Sequence, residues 1–156
     1  DAAELQAAKQ DWLQAPVWQG LRRVVEDTWV LKDWFELFVA QNVVLDGQLF
    51  ALAYQEVDQA LSEQAGPVVS MLTRFQAEWA QDANKWVDAV MKTAAAESAQ
   101  NQALLSTWYA QWRERVQDAL APLAEMALGA DGAAALQRSV AALDARMQKA
   151  GLTIPA

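Results

Sequence analysis

Residues 33–61 constrain the fold of this chain more than any other stretch, and they read DWFELFVAQNVVLDGQLFALAYQEVDQAL. The stretch has no proline and one glycine, and its apolar side chains cannot all lie on one stripe of a helix. A helix that is apolar nearly all round is buried on several sides. Polar residues interrupt it too often for a membrane span. It therefore predicts the central helix of a larger helical assembly, partly covered from outside the chain.

The rest of the composition indicates an all-α protein. The chain has 156 residues with four prolines and six glycines, and no period-2 alternation marks a strand. A net charge of −8 argues against a nucleic-acid partner, which needs clustered Lys and Arg. We find no signal peptide pattern and expect a cytoplasmic chain without a membrane segment. A chain that begins with Asp1 suggests a processed or incomplete polypeptide.

Apolar spacing and breaker residues predict the order of the helices. Short helices over residues 2–14 and from Pro16 precede a bend at 31–32, and the central helix follows. A long helix starts at Pro67, and Ser98 caps another, which Pro122 should kink or divide. A last helix ends at Gly151, with an extended tail after it. We divide the chain into a bundle part, 1–128, and a C-terminal helix and tail, 129–156.

The absence of two residue types excludes most catalytic chemistry within the chain. There is no histidine and no cysteine, so Ser-His-Asp and Cys-His systems and the usual zinc sites are absent. A carboxylate-bridged di-iron bundle needs Glu-x-x-His pairs. The nearest pattern is Glu78-x-x-Gln81, whose amide is a poor iron ligand, so a polar contact is the favoured interpretation. We expect no catalytic, cofactor-binding or metal-binding residue in this chain.

Two further features have a structural and a functional interpretation. Asp46 interrupts the most apolar helix just before Gly47, and it could be a ligand or a proton relay. We favour a buried acid that pairs with an arginine of a neighbouring helix, while Gly47 allows close helix approach. The eight tryptophans could line a ligand site, but at helical spacing they favour a core or a subunit interface.

Two long runs resemble the β subunit of bacterial multicomponent monooxygenase hydroxylases. They read WLQAPVWQGLRRVVEDTWVLKDWFELFVAQNVVLDGQLFALAYQ (12–55) and MLTRFQAEWAQDANKWVDAVMKTAAAESAQNQALLSTWYAQW (71–112). The likeness is greatest to the phenol hydroxylases, followed by the toluene/o-xylene monooxygenases. It continues through RVQDALAPLAEMALG and the KAGLTIP ending, and the DWFELFVAQNVVLDG run is its most specific part.

The resemblance implies a fold and a set of partners. It implies the C-terminal half of a β subunit, a ferritin-like long-helix bundle with a C-terminal helical extension, while the N-terminal half is missing. Such β subunits are similar to the di-iron α subunit but lack its iron ligands. The implied assembly is an (αβγ)₂ hydroxylase, in which α oxidises the aromatic ring with O₂ and NADH-derived electrons. Possible subunit-interface residues are Trp18, Trp34, Phe38 and Trp86.

Two other functions stay open at this point. The chain could be a stand-alone helical binding module that offers a Trp-lined apolar groove to a ligand or a partner helix. It could also be a divergent metal bundle that uses carboxylates only, although the lack of histidine makes this the weakest hypothesis. The sequence does not indicate which aromatic compound the α subunit would oxidise.

Overall fold

The computed structural model describes residues 1–154, and these are helical with no strand. The predicted all-α class is confirmed. The helices, with the bounds used below, are α1 (Ala2–Gln14), α2 (Pro16–Thr28), α3 (Trp34–Ala65), α4 (Val68–Glu97), α5 (Ala99–Leu128) and α6 (Gly132–Lys149). A short 3₁₀ turn, Gly129–Asp131, joins α5 to α6. The predicted tail residues 155–156 lie outside the described part.

Side-chain caps fix where three of these helices begin. The carboxylate of Asp1 accepts hydrogen bonds from the amides of Ala3 and Glu4 at the start of α1. Asp33 accepts from the amide of Phe35 at 2.8 Å and so starts α3. Ser98 accepts from the amide of Asn101 at 3.0 Å, which confirms its predicted role as the cap of α5.

The central helix α3 is continuous, but it is not a regular α-helix. Two segments, Val39–Leu45 and Leu52–Val57, have the wider π-helical hydrogen bonding. π-Helical turns insert an extra residue and rotate the side chains that follow, and they are frequent at functional sites. The first segment is the most deeply buried part of the helix, because Val39, Val43 and Val44 are fully buried. The predicted burial of this stretch is confirmed there, but the π-helical turns left no signal in the sequence.

The sequence predicts that Pro122 kinks or divides α5, and the division is wrong. α5 runs unbroken from Ala99 to Leu128 with Pro122 inside it. A proline ring removes one backbone hydrogen bond, to the carbonyl of the residue four positions earlier. Here that residue is Asp118, which is exposed like Pro122 itself, so water can solvate the freed carbonyl.

Helix α5 packs against α2, α3, α4 and α6. Its buried residues Tyr109, Trp112 and Val116 share one core cluster with the buried part of α3 and with Leu143 and Met147 of α6. Four arginine–carboxylate pairs tie the helices together across the surface of this core. They are Arg115–Asp27 (α5 to α2), Arg113–Asp144 (α5 to α6), Arg138–Glu56 (α6 to α3) and Arg146–Asp88 (α6 to α4).

Gly47, the second residue of the α-helical part Asp46–Ala51 of α3, lies where α3 contacts α6. A Cβ on Gly47 would lie 3.0 Å from Cδ1 of Leu143 on α6. The close approach predicted for Gly47 is therefore confirmed.

Two helical stretches, Trp34–Ala65 and Ala99–Lys149, are long and apolar enough to cross a membrane by length and composition alone. This is weak evidence, because a buried core helix such as α3 meets the same criteria.

Candidate functional site

The first half of α4 presents a row of large apolar side chains to solvent. Phe75 is 77% exposed, and its neighbours one turn away on either side are also exposed. The row follows the 3.6-residue period of a helix face that normally packs against a partner. We call it the α4 face, and it consists of Val68, Met71, Leu72, Phe75 and Trp79.

A second exposed region is built from aromatic rings that contact one another. Trp34 contacts Phe35 with ring centroids 5.0 Å apart, and Phe35 contacts Phe38 at 5.4 Å. Phe38 in turn meets the ring of Trp86 on α4 at 5.4 Å and almost at right angles. Edge-to-face contacts of this kind stabilise the arrangement beyond the area they bury. The rings thus form one rigid cluster at the start of α3.

Three of the four residues predicted at an interface belong to this cluster. Trp34 and Trp86 are 72% and 58% exposed, so both present large aromatic surfaces to solvent. Phe38 is buried within the chain and supports Trp86 from below. Trp18 lies elsewhere, half-buried beside Trp12 of α1, with ring centroids 6.0 Å apart. The role of the four predicted residues at an interface stays a prediction.

A groove of about 680 Å³ opens beside the aromatic cluster. Its walls come from the start of α3, the second half of α4 and the first half of α5. Trp34 and Phe35 line it from α3, and Leu104 and Trp108 line it from α5. A groove between antiparallel helices with apolar walls is a typical docking surface for another helix.

The exposed apolar residues are part of an unusually large total surface. A folded monomer of 17.2 kDa exposes about 7,800 Å² of accessible surface by the usual scaling with mass. This chain exposes 9511 Å². The excess of about 1,700 Å² is about twice the 800 Å² or so that one partner buries in a standard protein–protein interface. The surface is therefore what an incomplete or partnered helical unit would have.

The prediction that an arginine pairs with Asp46 is wrong. Within residues 1–154 Asp46 forms no ion pair, and two arginines of α5 and α6 pair with other acids: Arg113 with Asp144 and Arg146 with Asp88. Burial raises the pKa of the Asp46 carboxyl from 3.8 to about 6. A carboxyl that is desolvated without a compensating charge favours its protonated form.

We expect Asp46→Asn to stabilise the fold in a pH-dependent way. The folded-state pKa of Asp46 lies above its ordinary value, so ionisation of this group costs stability as the pH rises from 3.8 to about 6. Since the carboxyl is only partly buried, solvent reduces the cost to about 1 kcal/mol. Urea unfolding at pH 4.5 and 7.5 should show the advantage of the variant growing with pH. Asp118→Asn, which removes an exposed carboxylate, is the control, and an equal gain at both pH values would contradict the assignment.

A polar network in the core was not predicted from the sequence. The hydroxyl of the fully buried Tyr109 donates to Asp144 at 2.6 Å, and Arg113 donates two hydrogen bonds to the same carboxylate at 2.6 and 2.7 Å. Burial, together with this hydrogen bond, raises the pKa of Tyr109. The side-chain amide of Gln48, also fully buried, donates to the carbonyl of Arg113, while its Oε1 has no partner among the described residues. The network locks α3, α5 and α6 together.

The described residues offer no donor set for a metal ion. Within residues 1–154 no group of three or more Asp, Glu, His or Cys side chains is arranged to hold one. Glu78, the residue of the Glu-x-x-Gln pattern, is exposed and lies 3.7 Å from Arg74 on the same helix. The favoured interpretation of Glu78 as a polar contact matches this position.

The comparisons with known proteins agree with this architecture. The chain is 49% identical over 148 residues to phenol 2-monooxygenase, oxygenase component DmpL, of Pseudomonas sp. (strain CF600), which covers 95% of the chain and 44% of that protein. It is 29% identical over 102 residues to the hydroxylase component subunit beta of the toluene-4-monooxygenase system of Ectopseudomonas mendocina, covering 65% of the chain and 31% of that protein. The chain thus spans less than half the length of these relatives.

A similar solved structure identifies the fold. The crystal structure of xenon-pressurised phenol hydroxylase from Pseudomonas sp. OX1 matches 97% of this chain and 45% of its own with a TM-score of 0.88 and 40% identity. The predicted ferritin-like helical bundle is thereby confirmed. Residues 1–98 also match the sequence model described as Methane/Phenol/Alkene Hydroxylase. The chain belongs to the methane/phenol/alkene hydroxylase family.

Proposed function

We propose that this chain is part of the non-catalytic β subunit of a multicomponent aromatic monooxygenase hydroxylase. In this proposal it supports a di-iron α subunit that hydroxylates phenol- or toluene-type substrates with O₂ and NADH-derived electrons. Its partners are the α and γ subunits of a cytoplasmic (αβγ)₂ assembly. Residues 1–128 contribute half of the β bundle, and residues 129–156 add the C-terminal helix and tail.

The excess surface carries this proposal. The chain exposes 9511 Å², with a continuous apolar row on α4 and an exposed aromatic cluster. Such a surface is typical of a protein whose hydrophobic core is completed by a partner. Large exposed apolar patches mark interaction surfaces in soluble proteins. Aromatic side chains such as Trp34 and Trp86 are the residue types that dominate binding energies at subunit interfaces.

The α4 face is the surface that we assign to the remaining part of the β subunit. α3 and α4 are consecutive long helices joined at Gly66 and Pro67, and a ferritin-like bundle surrounds such a pair with further helices. The chain covers 44% of its phenol monooxygenase relative, so the rest of that length can supply them. An apolar helix row such as the α4 face is what they would cover.

The chemistry of the chain fits a supporting role. It has no histidine or cysteine, and its described residues form no carboxylate cluster. The iron in this proposal therefore belongs to α, while this chain supplies a stiff surface. The arginine–carboxylate pairs between helices and the Tyr109 network hold that surface in one conformation. A preorganised surface loses less entropy when it binds its partner.

Native mass spectrometry of the chain purified gently from its source tests the proposal. With metal analysis of each species, we expect a large complex in which iron follows a heavier partner and none stays with this chain. A metal-free, stable monomer would contradict the subunit assignment. Iron or manganese bound in stoichiometric amount to the isolated chain would support the carboxylate-only metal bundle instead.

A substitution on the α4 face should weaken assembly. Phe75→Ser removes the most exposed ring of the face, and interface anchors of this type contribute about 2 kcal/mol or more to binding. We expect assembly to weaken about thirtyfold. Met126→Ser is the matched control, since Met126 is 60% exposed but lies near the end of α5 and outside this face. Each variant is titrated with the remaining part of the β subunit, and native mass spectrometry measures how much complex forms. Equal weakening by both variants would contradict the role of the α4 face.

One observation favours the alternative of a stand-alone helical binding module. The groove beside Trp34 has apolar walls and a volume of about 680 Å³, which falls in the range of small-molecule sites. A monomer that remains stable and soluble without partners would move the assignment to this function.

A further inference from the structure

The groove beside Trp34 is distinct from the α4 face and has its own chemistry. Its α4 wall carries the small residues Ala89, Thr93 and Ala94, and its α5 wall carries Leu104 and Trp108. Small side chains on one wall let a partner helix approach to normal packing distance. From Ala89 to Glu97 the wall extends over about 12 Å, which is about two turns of a helix.

The charges that line this groove have a single sign. The two ionisable residues in its walls are Asp33 and Glu97, and no Lys or Arg lines it. Asp33 uses Oδ1 to cap α3, and Glu97 uses Oε2 to accept from Asn101 at 3.0 Å. The second oxygen of each carboxylate accepts no hydrogen bond from the described residues. Two negatively charged acceptors thus line a groove whose other walls are mostly apolar, in a chain whose net charge is −8.

We propose that this groove docks a basic amphipathic helix of a partner polypeptide. Apolar side chains of that helix, spaced at i and i+3 or i+4, fill the space between Trp34 and Leu104. Its Lys or Arg side chains reach Asp33 and Glu97 at the rim. A charge pair across an interface sets orientation and partner choice, while the desolvated apolar anchors supply most of the affinity.

This inference does not depend on the subunit assignment. It requires a partner helix of stated chemistry, whether that helix belongs to a hydroxylase subunit or to another protein. The α4 face has a different flank, because Arg74 and Glu78 of opposite charge lie beside it. The two surfaces therefore select different partners.

Site-specific photocrosslinking in the source cells tests the proposal. A benzophenone amino acid is placed at Leu104 in the full chain, and mass spectrometry identifies the crosslinked peptide. We expect a segment with net positive charge and apolar residues at helical spacing. A second chain with the crosslinker at Met126, exposed on the same helix but outside the groove, is the control. We expect Glu97→Gln combined with Asp33→Asn to reduce the Leu104 crosslink at least fivefold, without reducing the Met126 crosslinks.

The outcomes separate this proposal from the proposed function. A basic helical segment whose crosslink depends on the two carboxylates supports the groove assignment. Crosslinks to an acidic or non-helical segment, to a small molecule, or to nothing would overturn it. So would a crosslink that the double substitution leaves unchanged. Native mass spectrometry of the chain purified from the same cells shows whether the large complex forms. Formation of that complex without a groove crosslink would overturn only this inference.

Discussion

Asp144→Ala is expected to lower the free energy of unfolding by about 3 kcal/mol. The carboxylate of Asp144 accepts from Tyr109, which is fully buried, and from two nitrogens of Arg113. Its removal leaves a phenol hydroxyl without a partner in the core and a half-buried guanidinium without its counter-charge. A buried donor left unsatisfied costs its full desolvation. The network joins α5 to α6, so its loss should also weaken the packing of these two helices against each other.

Urea unfolding followed by circular dichroism measures this change. The matched control is Lys85→Ala, which breaks an ion pair whose two side chains are both more than 70% exposed. Exposed pairs of this kind contribute little, so the control should stay close to the parent chain. A second variant, Tyr109→Phe, tests the coupling, since its effect should shrink when Asp144 is already alanine. Additive effects of Tyr109→Phe and Asp144→Ala would show that the two groups do not act as a network.

Gly132→Ala is expected to destabilise the fold by a similar amount, about 3 kcal/mol. Gly132 is the first residue of α6 and is buried against the end of α5. A Cβ there would lie 2.5 Å from the carbonyl carbon and oxygen of Ala124 and 2.7 Å from the amide nitrogen of Glu125. These are backbone atoms inside a helix, and they cannot move aside as the end of a side chain can. The methyl group would force α6 away from α5.

Gly47→Ala is the matched control for this effect. A Cβ on Gly47 would also be crowded, but by the flexible methyl groups of Leu143 at 3.0 and 3.3 Å. Alanine in a helix interior is favoured over glycine by about 1 kcal/mol, which offsets part of the crowding. Thermal unfolding should place Gly47→Ala near the parent chain and Gly132→Ala well below it. Equal midpoints for the two variants would contradict the assigned crossing of α5 and α6.

Most of the helix order was predictable because local signals agree with one another. Pro16, Gly66 and Ser98 mark boundaries through backbone chemistry that depends on a few neighbouring residues. The apolar character of residues 33–61 indicated a buried helix for the same reason. Pro122 was misleading because its local cost depends on solvent access to the freed carbonyl, and that access is set by the tertiary structure.

The candidate site was predictable in kind but not in arrangement. The tryptophans indicated an interface, yet only the structure shows that Trp34 and Trp86 share one ring cluster while Trp18 lies apart beside α1. The arginine expected beside Asp46 was a reasonable inference from the cost of a buried charge. In the structure Arg113 and Arg146 pair with other acids, and burial raises the pKa of Asp46.

The sequence by itself determined the all-α class, the helix order, the absence of histidine and cysteine chemistry, and the family. These follow from composition, short-range periodicity and recognisable runs of residues. Only the tertiary structure decided which acid pairs with which arginine, where the π-helical turns fall, and which apolar faces remain open. Such contacts join residues far apart in the chain, for example Tyr109 with Asp144, and their energy depends on burial and distance. No local pattern encodes those two quantities, so they became visible only once the helices were packed.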